Sequence, residues 1–553
     1  MRESKGIWHI IFLVFAVITA RVFQLCLVPD SKVVFWSQSQ YWQQILATSS
    51  RGVVADRNGV TLTLSVPRWS LFVDPVFWDT DQLSILSRYL PKNVIERLHK
   101  PLAGRFIWLT RKLPLPKGEE ILSLNLKGIY GVKEMERSYP FGKYMAHLLG
   151  FVDIDEKGLA GVERQWDVFL YTPPEVRTLV RDAAGNYFEM ASTLSDKGSV
   201  FPKSKVILTI DWRLQYIVDS ALQKGAEINQ AEWGAAMCMD PMTGEILAMS
   251  SYPSFDPEDR GTFTDERLRN NVIGRVYEPG SVLKPIMMGI AMDGGYVNAK
   301  SAFRCGGSIR IADHVIREVG GRAHGSQDIY KILINSCNVG MAQVGMKMPP
   351  NFTYNALKGW GFGIPTGVEL PGEEEGLLPL PSQWWGVVPA NISLGQGIAI
   401  TPIQLAQAFS AIANGGVLIR PYVTREVFDG KGNRVYCGQR REIARVLSSS
   451  TSKSLRTALR RAVVEGTGKQ ADVGAAKVAG KTGTAQVAYK GQYLKDAHVA
   501  TFAGFWPHES PHYVLVIVIG NPRSKGYLAS LVAAPIFKSI VEEIMTSGFE
   551  INN

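Results

Sequence analysis

Apolar and polar positions along this chain change rhythm several times. From Ile7 to Val28 the residues are apolar except at His9, Thr19, Arg21 and Gln24. About twenty-two residues of helix, rising about 1.5 Å each, span the ~30 Å hydrocarbon core of a bilayer. Arg21 falls toward the outer end, where its side chain can reach the interface. Arg2 and Lys5 precede the run, so residues 1–6 are expected in the cytoplasm and everything after about residue 30 outside it. A cleaved leader with Ile7–Ala20 as its core is the alternative. It is disfavoured because Ile18 and Ala20 make a poor small-x-small site.

Residues 29–200 show short alternating runs broken by Pro and Gly, with no catalytic pattern, and the polar stretch Ser192–Lys205 reads as a linker. Val206–Ile210 then predicts a strand. Asp211 predicts the cap of a helix to about Gln230, with Leu214, Ile217, Val218, Ala221 and Leu222 on one face. Ala235–Asp240 and Glu245–Ser250 predict a hairpin around Pro241-Met-Thr-Gly244. Ala479–Tyr489, Ala497–Phe505 and Tyr513–Gly520 are again strand-like, while 281–465 is mostly helical in pattern. Strands at both ends with helices between predict an α+β domain, one antiparallel sheet flanked by helices, over residues 201–548.

Composition narrows the function classes. Hydrophobic residues at 46% and charged residues at 20% describe a folded protein, and 553 residues exceed one ordinary domain. The net charge of +10 is spread along the chain without a dense Lys/Arg block, so it reads as a basic surface and no nucleic-acid partner is expected. Five cysteines, Cys26, Cys238, Cys305, Cys337 and Cys437, form neither a CxxC pattern nor a disulfide framework. One pair could bridge in an oxidising compartment, and spacing does not say which. His508 and His512 lie in a Pro-rich turn without partner ligands. No metal and no cofactor is expected.

Three short elements carry chemistry by occurring in order: Ser281-Val-Leu-Lys284, Ser336-Cys-Asn338 and Lys481-Thr-Gly483. Ser450-Thr-Ser-Lys453 and Ser123-Leu-Asn125 repeat the first two out of context, so order is the discriminating feature. With Ser281 opening a helix after the Pro279-Gly280 turn, Lys284 lies one turn on and can reach the serine oxygen. A serine hydroxyl becomes nucleophilic when a neighbour takes its proton, and lysine does so only when neutral. Burial and a second cation favour that form, and Lys481 is the candidate cation. The helix start offers N–H groups to an oxyanion. Ser336 is placed to relay a proton to a leaving amine, and Asn338 to orient a peptide bond. On the third element, Gly483 is expected to let a substrate backbone approach the strand. Lys481, Thr482 and Thr484 would present a cation and two hydroxyls to a substrate carboxylate. The set describes acyl transfer through a serine ester.

This signature is shared by serine β-lactamases and penicillin-binding proteins. The chain resembles class B penicillin-binding proteins over nearly its whole length. Arg51-Gly-Val-Val-Ala-Asp-Arg-Asn-Gly59, Arg137-Ser-Tyr-Pro-Phe-Gly142, His147-Leu-Leu-Gly-Phe151 and Gly161-Val-Glu163 look like that class's N-terminal signatures. Arg269-Asn270, Val276-Tyr-Glu-Pro-Gly-Ser281, Gly372-Glu373, Gly376-Leu-Leu-Pro379 and Thr401-Pro-Ile-Gln404 look like its septal, FtsI-type branch. The resemblance implies a D,D-transpeptidase that cross-links stem peptides ending in D-Ala-D-Ala and is inhibited by β-lactams. It further implies a single-pass inner-membrane protein with an elongated, dimerisation-type pedestal over 29–200, and a SEDS-family glycosyltransferase and other divisome proteins as partners. Cys337, Gln396 and Tyr527-Leu-Ala-Ser530 depart from residues common in the family, without removing a catalytic group.

An elongation-type class B transpeptidase is the alternative to the septal reading, and the other rival readings are weaker. A β-lactamase or carboxypeptidase needs a base that activates water, for which Glu373, Glu374 and Glu375 are available. A nucleotide-binding loop ending in Gly480-Lys-Thr482 fails because Ala475 stands where glycine is required. A non-catalytic scaffold is disfavoured by retention of every catalytic residue type.

Overall fold

The computed structural model describes residues 3–27, 30–32, 34, 42–100, 102, 104, 106–182, 187–189, 204–489, 492–524 and 526–548. Most of the expected linker at 192–205 lies outside them. The chain divides into two compact units, and neither is continuous in sequence. One comprises Met1–Ser50, Ser65–Glu136 and Thr172–Phe201; the other comprises Arg51–Leu64, Arg137–Tyr171 and Pro202–Asn553.

The first unit contains helix α1 (Glu3–Leu27), of which Gly6–Leu27 is long and apolar enough to cross a membrane. It also holds an antiparallel sheet of Trp42–Ala47, Glu175–Arg181 and Tyr187–Glu189. A small core of Leu71, Leu86, Leu98, Leu109 and Ile121 is buried under short helices. Glu134 is wholly buried there, and Arg111 compensates it through a 2.7 Å ion pair.

In the second unit, helix α2 (Trp212–Ile228) starts where Asp211 accepts a hydrogen bond from Arg213 N, the cap expected from sequence. The strands β1 (Trp233–Met239) and β2 (Ile246–Tyr252) form the hairpin. A largely helical stretch follows, with α3 (Lys284–Asp293), α4 (Asn338–Lys347), α5 (Pro402–Ala413) and α6 (Ser449–Val464). Thr401 and Gln404 form a reciprocal capping box at the start of α5, which gives the Thr-Pro-Ile-Gln segment a local reason. Then come β3 (Ala479–Tyr489), β4 (Gln492–Trp506), β5 (Tyr513–Gly520) and α7 (Ala533–Thr546). The sheet is antiparallel throughout in the order β2-β1-β5-β4-β3, with Met237 opposite Val516 and Lys481 opposite Ala503.

Both faces of this sheet are covered, so its central strands are apolar at every position rather than alternately. Met237, Val514, Val516 and Val518 pack with Ile403, Leu405 and Phe409 of α5. Their neighbours Cys238, Leu515, Ile517 and Ile519 pack with Leu214 and Val218 of α2 and Phe537 and Ile540 of α7. Each such side chain contributes about 1.5–3 kcal/mol on burial.

Two features differ from expectation. The strand expected at 206–210 is Lys205–Leu208, and it belongs to a different sheet, parallel to Val53–Ala55 and antiparallel to Thr424–Phe428. Within the helical stretch there are short hairpins, such as Ala302–Cys305 with Gly325–Asp328 and Ser308–Ile311 with His314–Arg317. Four-residue strands with charged members give little periodic signal.

The N-terminal signatures meet in this unit. Glu163, fully buried, accepts from Arg51 Nε and Arg137 Nε, both at 2.6 Å, and Arg51 also pairs with Asp167 at 2.7 Å. Removing one member of a buried ion network leaves the others uncompensated, which costs about 3–5 kcal/mol. Glu163→Ala is therefore expected to lower the thermal midpoint of the full chain well beyond Glu163→Gln. Equal midpoints for wild type and Glu163→Ala would show that the network contributes nothing to stability.

Candidate active site

Gly280 has φ +57°, a conformation that glycine adopts without steric cost, and its N–H donates to Gly395 O at 3.0 Å. Gly280–Leu283 form a 3-10 turn that runs straight into α3. Ser281 is half-buried in this first turn, where its own N–H has no intrahelical acceptor, and it lines a cleft of about 380 Å³.

Lys284 is fully buried. Its Nζ donates to Ser336 O at 2.6 Å and to Asn338 Oδ1 at 2.7 Å, with Ser336 Oγ at 3.4 Å. Its recorded hydrogen bonds thus go to the second element and not to Ser281 Oγ. Burial pulls this ammonium down to about 8, opposed in part by the charges of Glu318 and Cys337.

The second element is a corner between helices Ile329–Ile334 and α4. Ser336 turns the corner at φ +55°, a left-handed conformation that costs a residue with a side chain about 1–3 kcal/mol. The hydrogen bond from Cys337 N to Ile332 O, 2.9 Å, closes the first helix. Cys337 caps α4, its Sγ accepting from Gly340 N at 3.2 Å. A hydroxyl residue would cap in the same way, so the cysteine departure preserves the corner.

The third element lies on β3, the edge of the sheet, and among the described residues no strand pairs with its outer side. Lys481 Nζ, also fully buried, donates to Ser336 Oγ at 2.9 Å and to Thr482 O at 3.0 Å. Burial, and then the charge on Lys284, drive Lys481 well below the ordinary lysine range. Ser336 Oγ is therefore shared by two buried amines.

Two expectations change. A Cβ on Gly483 would stand 2.8 Å from Pro279 O and Val282 Cγ1 and 3.0 Å from Val282 N. The missing side chain makes room for the turn that carries Ser281, rather than for a substrate backbone. Lys481, expected to face a substrate carboxylate, is turned inward to Ser336. Thr482 and Thr484 do line the cleft. Their hydroxyls meet Thr467 Oγ1 at 2.7 Å and Ala529 N at 3.0 Å.

The cleft is also lined by Glu318, Arg322, His324 and Thr467, together with Gln396, Leu528, Ala529 and Ser530. Sequence reasoning found none of the first four, because isolated polar residues at irregular spacing carry no pattern. Glu373, Glu374 and Glu375 do not line this cleft. The Glu373 carboxylate instead accepts from Thr366 N at 2.7 Å and Gly367 N at 2.9 Å, so the rival deacylating base has no geometric support.

Comparisons with known proteins agree with this architecture. Residues 234–542 match the family model of the penicillin binding protein transpeptidase domain, and residues 46–199 match that of the penicillin-binding protein dimerisation domain. Stage V sporulation protein D of Bacillus subtilis is 32% identical over 96% of this chain and 83% of its own length. Peptidoglycan D,D-transpeptidase FtsI of Escherichia coli is 31% identical over 90% of this chain and 84% of its own. The crystal structure of penicillin binding protein 3 from Mycobacterium tuberculosis, complexed with aztreonam, superposes with a TM-score of 0.69 at 27% identity, covering 91% of this chain and 97% of that one. The one helix among the described residues long and apolar enough to span a bilayer, together with the FtsI-type relatives, describes a membrane-anchored chain. An antiparallel sheet with the Ser281 turn docked on its edge strand, matched by sequence and by shape, places the chain in the penicillin-binding proteins, among the class B, FtsI-type D,D-transpeptidases.

Proposed function

We propose that this chain cross-links peptidoglycan stem peptides during septal wall synthesis through an acyl-enzyme on Ser281, and that β-lactams inhibit it by acylating the same oxygen. The observation that carries the reading is the pair of buried lysines around one hydroxyl, Ser336 Oγ, beside Ser281. The two short bonds from Lys284 Nζ occupy two of its N–H groups. The remaining position is an N–H when the amine is charged and a lone pair when it is neutral.

In this scheme Ser281 Oγ attacks the carbonyl carbon of the penultimate D-Ala and its proton passes to neutral Lys284. The C–N bond to the terminal D-Ala breaks as Ser336, held by Lys481, protonates the departing amine and regains its proton from Lys284, which returns to its neutral form. An amine of a neighbouring stem then attacks the ester and frees Ser281. Asn338 orients the donor peptide, the N–H of Ser281 faces the oxyanion, and Thr482 and Thr484 offer hydroxyls to the terminal carboxylate. Gly483 keeps the Ser281 turn against β3. The free edge of β3 suits main-chain pairing with an extended peptide.

The test is intact-mass spectrometry of the full chain in detergent after brief exposure to a penicillin, across about pH 6 to 9. We expect a lasting adduct of one drug mass mapped to Ser281. Because the neutral amine is the reactive form, the acylation rate should rise about tenfold per pH unit and level off above about 8. The groups facing this amine are Lys481, Glu318 and Cys337. A fleeting adduct with hydrolysed drug would point to a lactamase or carboxypeptidase, and a rate flat below pH 8 would remove Lys284 as base.

The septal assignment is supported by relatives named FtsI, and a fluorescent fusion confined to the lateral wall would overturn it. A SEDS-family partner, other divisome contacts and a cytoplasmic N-terminus in the inner membrane follow from the same family reading.

A further inference from the structure

Beside the second element, four donors from four separate stretches of chain converge: Cys305, Glu318, His324 and Cys337. Their ligand atoms all lie within 4.8 Å of one another. Cys305 Sγ is 3.4 Å from Glu318 Oε1 and 3.7 Å from His324 Nδ1. Cys337 Sγ is 3.0 Å from Glu318 Oε1, and His324 Nδ1 is 3.9 Å from Glu318 Oε2. A tetrahedral zinc with bonds of about 2.0–2.3 Å sets its ligand atoms about 3.3–3.8 Å apart. These four separations bracket those edges, and all the ligand atoms lie within 4.8 Å, so small side-chain shifts close the set around one ion.

Donor chemistry selects the ion. Two sulfurs, one imidazole nitrogen and one carboxylate oxygen suit tetrahedral zinc, whereas calcium and magnesium take oxygen cages. Cys305, Glu318 and Cys337 are buried at 2%, 6% and 0% exposure, so the site is walled by protein on the side of the sulfurs and reached from the cleft past half-buried His324. Gly340 N already points at Cys337 Sγ, as a backbone N–H does toward a metal-bound thiolate.

We propose that Cys305, Glu318, His324 and Cys337 form a zinc(II) site that braces the corner holding Ser336 and Asn338. On binding, two S–H bonds break, two Zn–S bonds form, and both protons leave to solvent. The charges of the ion and the two thiolates cancel, so the carboxylate's single negative charge near Lys284 is retained. Glu318 also accepts from Asn338 N at 3.1 Å and Val339 N at 2.7 Å. An ion on Cys337 and Glu318 therefore fixes the residue between Ser336 and Asn338 from the wall of the cleft, which Glu318 and His324 line. The expectation of no metal arose because the four ligands are spread over residues 305–337 at unequal intervals.

The test is elemental analysis of the full chain, purified in detergent with a tag free of histidine. We expect one zinc per chain, retained in Cys437→Ser and lost in Cys305→Ala and His324→Ala. As a measurement independent of variant folding, stripped wild-type chain titrated with zinc against a chromophoric chelator should bind one equivalent. The two ligand variants should bind at least about 100-fold more weakly, beyond what a supporting residue costs. Three results would overturn the proposal. They are a zinc-free chain lighter by two hydrogens with Cys305 cross-linked to Cys337, a zinc-free chain whose two thiols both alkylate, and zinc that survives both ligand substitutions. None of these readouts depends on acylation.

Discussion

Ser281→Ala is expected to form no penicillin adduct at any exposure time, while the protein stays folded. Ser281 is half-buried at the rim of the cleft, and its hydroxyl holds no hydrogen bond among the described residues. Surface-like losses of this kind stay within about 0.5 kcal/mol. Two other serines, Ser336 and Ser530, line the same cleft, which makes the experiment decisive. Ser336 Oγ already lies between two amines, so an adduct on the Ser281→Ala chain mapped to Ser336 would move the nucleophile to the second element. One mapped to Ser530 would break the assignment altogether.

Lys284→Met is expected to slow acylation by about 10³–10⁴-fold, near the top of the range for positioned proton transfer. Methionine keeps the length of the stem in a fully buried position and removes only the amine. It leaves Ser336 O and Asn338 Oδ1 short of a donor, at about 1–3 kcal/mol each, so the variant will unfold more readily. The pH profile separates that structural loss from the chemical one. A chain that is merely destabilised keeps the rise toward about pH 8, whereas one that has lost its base reacts at a low rate with no such rise. Acylation close to wild type would remove Lys284 from the reaction.

Much of this arrangement was legible in the sequence. The bounds of β3 and β5 match the expected strands residue for residue, because turns punctuate both. The three short elements stood out by their order, and the structure joins Lys284, Ser336, Asn338 and Lys481 in one set of hydrogen bonds. What the sequence did not convey was direction. Lys481 and Gly483 were assigned outward roles because a strand pattern says which residues share a face, not what occupies the space beyond it. The Ser281 turn occupies it. The compact units interleave in sequence on either side of the family-model boundary near residue 200, since Arg51, Arg137 and Glu163 are joined by long-range ion pairs in the second. Glu318 and His324 could not be found, because their relation to Cys305 and Cys337 exists only after the chain has doubled back.

The order β2-β1-β5-β4-β3 also governs how the protein comes into being. Met237 pairs with Val516, just over half the sequence away, so the hairpin made first waits for its sheet neighbour until β5 has been made. Closing a loop of that length is slow because the entropy of bringing its ends together precedes any reward from pairing. Until β3–β5 arrive, the Ser281 turn has no strand to rest on, and two apolar strands stand with an open edge. The nascent chain thus has no seated Ser281 turn until β3 has been made. The Ser281 turn gains its seat in one late step, when residues 479–520 close the sheet.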